Sequence, residues 1–104
     1  MNESEFLNTT DALFDRIETA LDDAGVDVDI DRNGNVLQLE FDDGAKLIVN
    51  RHLPNQEVWL AARSGGFHYR LNADGAWEDT RGGESLLRAL TQLVASITGT
   101  DVTF

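Results

Sequence analysis

The sequence predicts an α+β fold, a two-layer sandwich with an N-terminal and a C-terminal helix on one face of an antiparallel sheet of about six strands. Two observations lead to this prediction. Apolar residues recur at helical spacing near both ends of the chain, and the segment between them alternates apolar and polar residues between short turns. With 104 residues the chain is long enough to bury one core, so we expect a single domain over residues 1–104.

The first helix is predicted over residues 3–24, with Asn2 or Ser4 as its N-cap and Gly25 as its stop. Its apolar positions have helical spacing and are Phe6, Leu7, Leu13, Phe14, Ile17, Ala20, Leu21 and Ala24. The period then changes to two, which is typical of half-buried strands. Strands are predicted at 26–31, 36–41, 45–50, 57–62, 67–71 and 76–78, with turns at Asn33-Gly34, Asp43-Gly44, Pro54-Asn55, Gly65-Gly66 and Asp74-Gly75.

The second helix is predicted to begin after Gly82-Gly83 and to end at Gly99. One apolar stripe runs along it and consists of Leu86, Leu87, Leu90, Leu93, Val94 and Ile97. Because short turns join neighbouring strands in opposite directions, the sheet is expected to be antiparallel, with both amphipathic helices covering the same face.

The charge of the chain is concentrated near its beginning. The net charge is −11, and residues 1–43 contain 13 acidic residues against Arg16 and Arg32, whereas residues 44–104 are neutral overall. Such a surface disfavours binding to nucleic acid or to an anionic membrane, and it suits cations and basic proteins.

The absence of cysteine excludes thiolate nucleophiles and cysteine-ligated clusters in this chain. No apolar run reaches the length of a membrane span, and the acidic start MNESEF resembles neither a signal nor a transit peptide, so we expect a bacterial cytoplasmic protein.

Four acidic residues of the first helix fall within an arc of roughly 60°, at about 100° per residue. We call this row, which consists of Asp11, Asp15, Glu18 and Asp22, the acidic ridge. On the next strand, Asp27, Asp29 and Asp31 share one side, and we expect them to meet the ridge as one surface, bordered by Asp23 and Glu3. Carboxylates without nearby Cys or His suit oxygen-seeking cations such as Ca²⁺, Mg²⁺, Mn²⁺ and iron. A convex surface cannot wrap an ion, so binding should be weak and several ions should bind.

Two other interpretations of these acidic residues remain open. The acidic face is also explained as a solubilising or protein-docking surface at which cations bind incidentally. In addition, Asp29-x-Asp31-x-Asn33-Gly34-x₅-Glu40 satisfies a single-loop Ca²⁺-binding pattern. Such a loop requires a helix on each side, whereas strand periodicity flanks this one.

The fourth strand predicts an exposed tryptophan. Val58 and Leu60 alternate with Trp59, so Trp59 is expected on the solvent face of the sheet, near Asn50, as part of a binding patch. His52 and His68 are interpreted as surface or hydrogen-bonded residues and not as metal ligands. No nucleophile–base triad or glycine-rich phosphate loop is present.

The segment LIVNRHLPNQEVWLAARSGGFHYRL, residues 47 to 71, resembles the central sheet of the bacterial frataxin (CyaY) family. The resemblance extends to the start MNESEF, to Leu21-Asp22-Asp23 and to the final helix. The matching positions in the segment are Asn50, Pro54, Val58, Trp59, Leu60, Gly66 and Tyr69.

The resemblance implies an iron-binding protein of iron–sulfur cluster assembly that contacts a cysteine desulfurase and a scaffold protein, as iron donor or as regulator. It places weakly bound Fe²⁺ or Fe³⁺ at Glu18, Asp22, Asp23, Asp29 and Asp31, with Asp11, Asp15 and Asp27 extending the site. Asp22, Asp23, Asn50 and Trp59 are the expected partner contacts. The chain is not expected to be an enzyme, and slow ferroxidation is expected at most as a by-product. Thr19, His52 and His68 depart from the family pattern.

Overall fold

The computed structural model describes all of residues 1–104 and confirms the predicted fold class. Helix α1 (Glu3–Asp23) is followed by six strands and helix α2 (Leu86–Thr98). The strands are β1 (Val28–Asn33), β2 (Val36–Phe41), β3 (Lys46–His52), β4 (Glu57–Ala62), β5 (Gly65–Leu71) and β6 (Trp77–Asp79). They lie side by side in chain order, and every neighbouring pair is antiparallel, so β1 and β6 are the edges of the sheet.

The first helix begins at a capping box. The Asn2 side chain accepts a hydrogen bond from the Glu5 backbone N–H at 2.8 Å, and the Glu5 carboxylate accepts one from the Asn2 N–H at 3.2 Å. These two bonds satisfy donors that a helix start otherwise leaves free. The chain leaves the helix at Gly25, whose φ of 68° is a left-handed conformation that glycine adopts without steric cost.

A single hydrophobic core of 18 buried residues joins both helices to one face of the sheet. Alternate residues of the central strands belong to it, as the period of two predicts: Leu37, Leu39, Phe41, Leu47, Val49, Val58, Leu60 and Tyr69. The opposite face carries no helix, and we call it the open face.

Element boundaries differ from the prediction by one or two residues at α1, β1, β3, β5 and β6. Regular pairing of β1 begins at Val28 and not at Val26, since the two preceding residues leave α1. Gly65 and Gly66, predicted as a turn, belong to β5 and pair with Ala62 and Ala61. Neither helix is both long enough and apolar enough to cross a membrane.

Candidate functional site

The acidic ridge lies beside the edge strand β1, and one arginine of that strand contacts three of its four members. Arg32 donates hydrogen bonds from Nη1 to Asp15 Oδ1 and, at 3.0 Å, to Glu18 Oε2. Its Nη2 lies 3.5 Å from Asp11 Oδ1 and 3.3 Å from the Asp11 carbonyl oxygen. Three ridge carboxylates therefore share one guanidinium, and the hydrogen bond with Asp15 is the main cause that raises the pKa of Arg32.

A second arginine reaches the same helix from β3. Arg51 Nη1 donates to Asp11 Oδ1, to Thr10 Oγ1 at 3.2 Å and to the Leu7 carbonyl at 3.3 Å. Its Nε donates to Asn35 Oδ1 at 3.0 Å. We call Arg32, Arg51, Phe14 and the three paired acids the edge cluster.

Both arginines of the edge cluster lie over the ring of Phe14, with the guanidinium carbons 5.4 Å (Arg32) and 5.8 Å (Arg51) from its centroid. These distances are within the range of cation–π attraction. Phe14 itself is fully buried in the core. The edge cluster is therefore anchored to the core, and Asp11, Asp15 and Glu18 already have a cationic partner from the chain itself.

The strand carboxylates do not join the ridge, which corrects the expectation of one shared surface. Arg32 occupies the same face of β1 as Val28 and Ile30, toward the helices, and Asp29 and Asp31 alternate with it. They therefore lie on the open face, opposite Glu40 and Gln38 of β2. No three acidic or histidine side chains are close enough together to hold one metal ion in this arrangement.

The segment that matches the Ca²⁺-loop pattern forms a β-hairpin. Asp29 and Glu40, the first and last positions of that pattern, face each other across β1 and β2, and Gly34 lies in the connecting turn with φ of 59°. The helices that would flank such a loop are absent. The geometry therefore gives no support to a single-loop Ca²⁺ site.

Sequence reasoning treated Asp42 and Asp43 only as turn residues. The pairing of Val28 with Phe41 brings the residues just outside this pair, Asp27 and Asp42, next to each other. A hydrogen bond shared with Asp27 is the main cause that raises the pKa of Asp42, and repulsion from Asp27, Asp29 and Asp43 adds to it. The sequence contained a signal for this proximity, because the Asn33-Gly34 turn fixes the strand register that places Asp42 opposite Asp27.

Seven acidic residues at this edge form no ion pair with the chain, and all of them are exposed. We call them the unpaired acids: Asp22, Asp23, Asp27, Asp29, Asp31, Asp42 and Asp43. Their oxygen atoms suit hard cations, and their spacing leaves most of the coordination shell of an ion to water. The arrangement can therefore concentrate cations loosely but does not enclose one.

On the open face, Trp59 lies between two histidines. Its ring is stacked on His52 at 4.0 Å and on His68 at 4.3 Å, with an interplanar angle of 10° in both cases. Trp59 pairs with Asn50 across the strands and occupies the predicted face, but the two imidazoles leave it half-buried and not fully exposed. His68 is exposed, whereas His52 is half-buried and its Nδ1 has no hydrogen-bond partner.

Glu57 is the residue that sequence reasoning missed at this position. Although it lies on the open face, its side chain is only 8% exposed. Trp59 Nε1 donates to Glu57 Oε1 at 2.8 Å, Arg70 Nη2 donates to Oε2 at 2.8 Å, and His68 Nδ1 lies 3.8 Å away. The bond from Trp59 is the main cause that lowers the pKa of Glu57, assisted by Arg70. We call these five residues, His52, Glu57, Trp59, His68 and Arg70, the open-face cluster.

Known proteins resemble this chain over nearly its full length. Residues 1–100 match the frataxin-like domain family. The protein from Ralstonia pickettii named iron-sulfur cluster assembly protein CyaY is 50% identical over 107 residues, covering 99% of this chain and 94% of that protein. A protein of the same name from Vibrio cholerae is 48% identical over 92 residues, covering 88% of each chain.

Two solved structures show the same arrangement of elements. Frataxin from Psychromonas ingrahamii superposes with a TM-score of 0.92 at 41% identity, covering 98% of this chain and 96% of that one. Trimeric frataxin from the yeast Saccharomyces cerevisiae, complexed with ferrous iron, superposes with a TM-score of 0.71 at 27% identity, covering 95% of this chain and 88% of that one.

Proposed function

The chain belongs to the frataxin family, and we propose that it acts in iron–sulfur cluster assembly as an iron-binding protein, either donating iron or regulating the cysteine desulfurase–scaffold complex. The role in assembly is supported by relatives of that name at about half sequence identity over the whole chain. Iron binding is supported by the ferrous complex of the yeast relative.

The observation that carries the iron proposal is the set of unpaired acids at one edge of the molecule. Iron is the cargo, and the carboxylates of Asp22, Asp23, Asp27, Asp29 and Asp31 are its expected ligands, joined by Asp42 and Asp43. Because these side chains are exposed and form no enclosed site, Fe²⁺ and Fe³⁺ bind weakly and in more than one place. Mg²⁺, Ca²⁺ and Mn²⁺ occupy the same oxygen atoms when they are abundant.

The same edge is the proposed docking surface for a basic patch on the desulfurase or the scaffold protein. Asp22 and Asp23 lie at the end of α1, exposed and unpaired, so that charge complementarity speeds the encounter with such a patch. Asn50 and Trp59 provide a second contact on the open face. Metal and partner then compete for the same carboxylates, and the negative charge keeps nucleic acids and anionic membranes away.

We place this activity in the bacterial cytoplasm and assign no dedicated enzymatic step to the chain. Anionic oxygen ligands favour the higher charge of Fe³⁺, so bound Fe²⁺ is oxidised slowly when dissolved O₂ is present to accept the electron, without any catalytic residue.

A charge-reversal pair tests the proposal. Asp22→Lys combined with Asp29→Lys should weaken Fe²⁺ binding about tenfold or more in anaerobic calorimetry, because two ligands become repulsive cations. Asp74→Lys combined with Glu78→Lys is the matched control, since it changes the net charge equally at exposed positions near β6, the opposite edge of the sheet.

Full iron affinity in the edge variant would contradict the assignment of these ligands. Equal loss in both variants would favour the alternative of an acidic interaction surface at which cations act only as counterions, an alternative supported by the absence of any three-ligand group.

A further inference from the structure

We propose that Arg32 is an internal counter-ion that closes Asp15 and Glu18 of the acidic ridge to cations and thereby sets which carboxylates of this edge bind metal. This inference rests on the proposed function and names the residue that limits it. Asp15 and Glu18 are the contested ligands, and Asp22 is the ridge member that Arg32 leaves free.

The guanidinium of Arg32 occupies the position that a cation on the ridge would take. It lies between Asp15 and Glu18, with Asp11 at its other nitrogen, and its side chain is only 29% exposed. The planar group is pre-organised for several carboxylates at once, and it stays charged at every accessible pH. A dissolved ion must therefore displace a tethered cation that cannot diffuse away.

The anchoring of Arg32 makes this displacement costly. The guanidinium also lies over the buried ring of Phe14, and the Asp11 carbonyl accepts one of its N–H groups. Release of the guanidinium would break the contacts with the Phe14 ring and the Asp11 carbonyl as well as the ion pairs. The raised pKa of Arg32 is consistent with a guanidinium held by its acidic neighbours.

Arg51 restricts the contested ligands further. It binds Asp11 independently of Arg32, through the nitrogen that also contacts Thr10 and the Leu7 carbonyl. Loss of Arg32 would therefore leave Asp11 paired and would free only Asp15 and Glu18.

Removal of Arg32 should extend the cation-binding surface along the helix. Asp15, Glu18 and Asp22 are three and four residues apart, so their side chains are neighbours on one helix face. In the native chain only the last of the three lacks a positive partner. The freed row would be continuous with the unpaired acids near Asp22 and Asp23.

The test compares Arg32→Gln with Arg88→Gln by Mg²⁺ titration, following the carboxyl ¹³C signals of Asp15, Glu18 and Asp22. Arg88 is an exposed arginine paired with Glu84 on the other helix, so its loss changes the net charge equally. We expect shifts only at Asp22 and the other unpaired acids in the native protein and in Arg88→Gln. In Arg32→Gln, shifts should appear at Asp15 and Glu18, with Mg²⁺ bound there about tenfold more tightly than in the native chain.

Arg32→Lys keeps the charge and provides a second variant if Arg32→Gln does not fold. A lysine ammonium cannot contact the carboxylates through a planar group, so a smaller gain at Asp15 and Glu18 is expected. Native shifts at Asp15 and Glu18 as large as those at Asp22 would overturn the inference, as would a folded Arg32 variant without any gain.

The outcomes separate this inference from the proposed function. If Fe²⁺ fails to bind the native chain but Mg²⁺ reaches Asp15 and Glu18 only in the Arg32 variants, the iron proposal fails and the role of Arg32 stands. If Fe²⁺ binds at Asp22 and Asp29 but the Arg32 variants bind Mg²⁺ no better at Asp15 and Glu18, the iron proposal stands and the role of Arg32 fails.

Discussion

The edge cluster and the open-face cluster both combine arginine–carboxylate ion pairs with an aromatic side chain, but they bury opposite charges. In the edge cluster the arginines are covered, with Arg51 only 12% exposed, while Asp15 is 69% exposed. In the open-face cluster the carboxylate is covered, and its partner Arg70 is 65% exposed. Each cluster therefore presents the charge of its exposed member to solvent, negative at the edge and positive beside Trp59.

In each cluster the covered member of the ion pair makes most of the contacts with the rest of the structure, and the exposed member gives the surface its charge. Removing an exposed partner leaves the buried charge without compensation, and removing a buried partner also removes its packing. A surface charge, by contrast, remains hydrated whether or not its partner is present. The two clusters should therefore respond differently to equivalent substitutions.

The largest expected effect is the loss of Arg51 from the edge cluster. Arg51→Met should lower the free energy of unfolding by about 3 kcal/mol, because the methionine removes the hydrogen bonds to α1 and to Asn35 that the largely covered guanidinium donates. Asp11→Asn, which alters only the half-exposed partner, should cost about 1 kcal/mol. Denaturant unfolding measures both, and equal costs would contradict the asymmetry.

The second effect concerns the open-face cluster. Arg70→Met should cost about 1–2 kcal/mol of unfolding free energy, since Glu57 stays buried with Trp59 as its remaining strong donor. Glu57→Gln should cost less than about 1 kcal/mol, because Arg70 stays hydrated and the amide oxygen can still accept from Trp59. The opposite order in urea unfolding would show that leaving the buried Glu57 carboxylate without Arg70 does not set the cost here.

The pH dependence of the unfolding free energy provides a control for the contribution of Glu57. The pKa of Glu57 is lowered in the folded state, so its stabilisation is present above the ordinary value of 4.5 and is lost as pH falls through the lowered pKa. The native chain should lose unfolding free energy over this acid range. Glu57→Gln should lack this component, whereas the Asp11→Asn variant should retain it.

The smallest expected effect on stability is that of Asp42, one of the unpaired acids. The pKa of Asp42 is raised in the folded state, so its charged form is disfavoured and destabilises the fold as pH rises through that pKa. Asp42→Asn should therefore raise the melting temperature slightly at neutral pH and low ionic strength, as measured by circular dichroism. The gain should disappear in 1 M salt, where the Debye length is about 3 Å, and a gain that persists there would exclude repulsion as its cause.

Much of the fold follows from local patterns. The spacing of Phe6, Leu13 and Ile17 predicts α1, and the alternation of Leu37, Leu39 and Phe41 predicts β2 with its inner face toward the helices. These patterns are reliable because each apolar residue must be buried wherever the chain folds. Only the boundaries differ, as at Gly65 and Gly66, where pairing with β4 extends a strand through residues that favour turns.

The candidate site was predicted less completely because charge partners are distant in sequence. The row of Asp11, Asp15 and Glu18 was visible from helical spacing, and the face of Trp59 from strand alternation. The contacts of Arg32 with residues 14 and 17 positions earlier, and of Arg51 with a residue 40 positions earlier, were not. The same applies to the ion pair of Glu57 with Arg70, a residue 13 positions later.

The sequence alone determined the layered fold, the acidic first half of the chain and the alternation that puts Trp59 on the open face, because each of these depends on neighbours within a few positions. Only the tertiary structure decided which acids remain unpaired. The packing of β1 and β3 beside α1 brings two arginines to three of the acidic residues, and strand alternation turns Asp29 and Asp31 away from them. The sequence gives the number of charges, whereas the pairing of each acidic residue with an arginine depends on the distance between them in the folded chain.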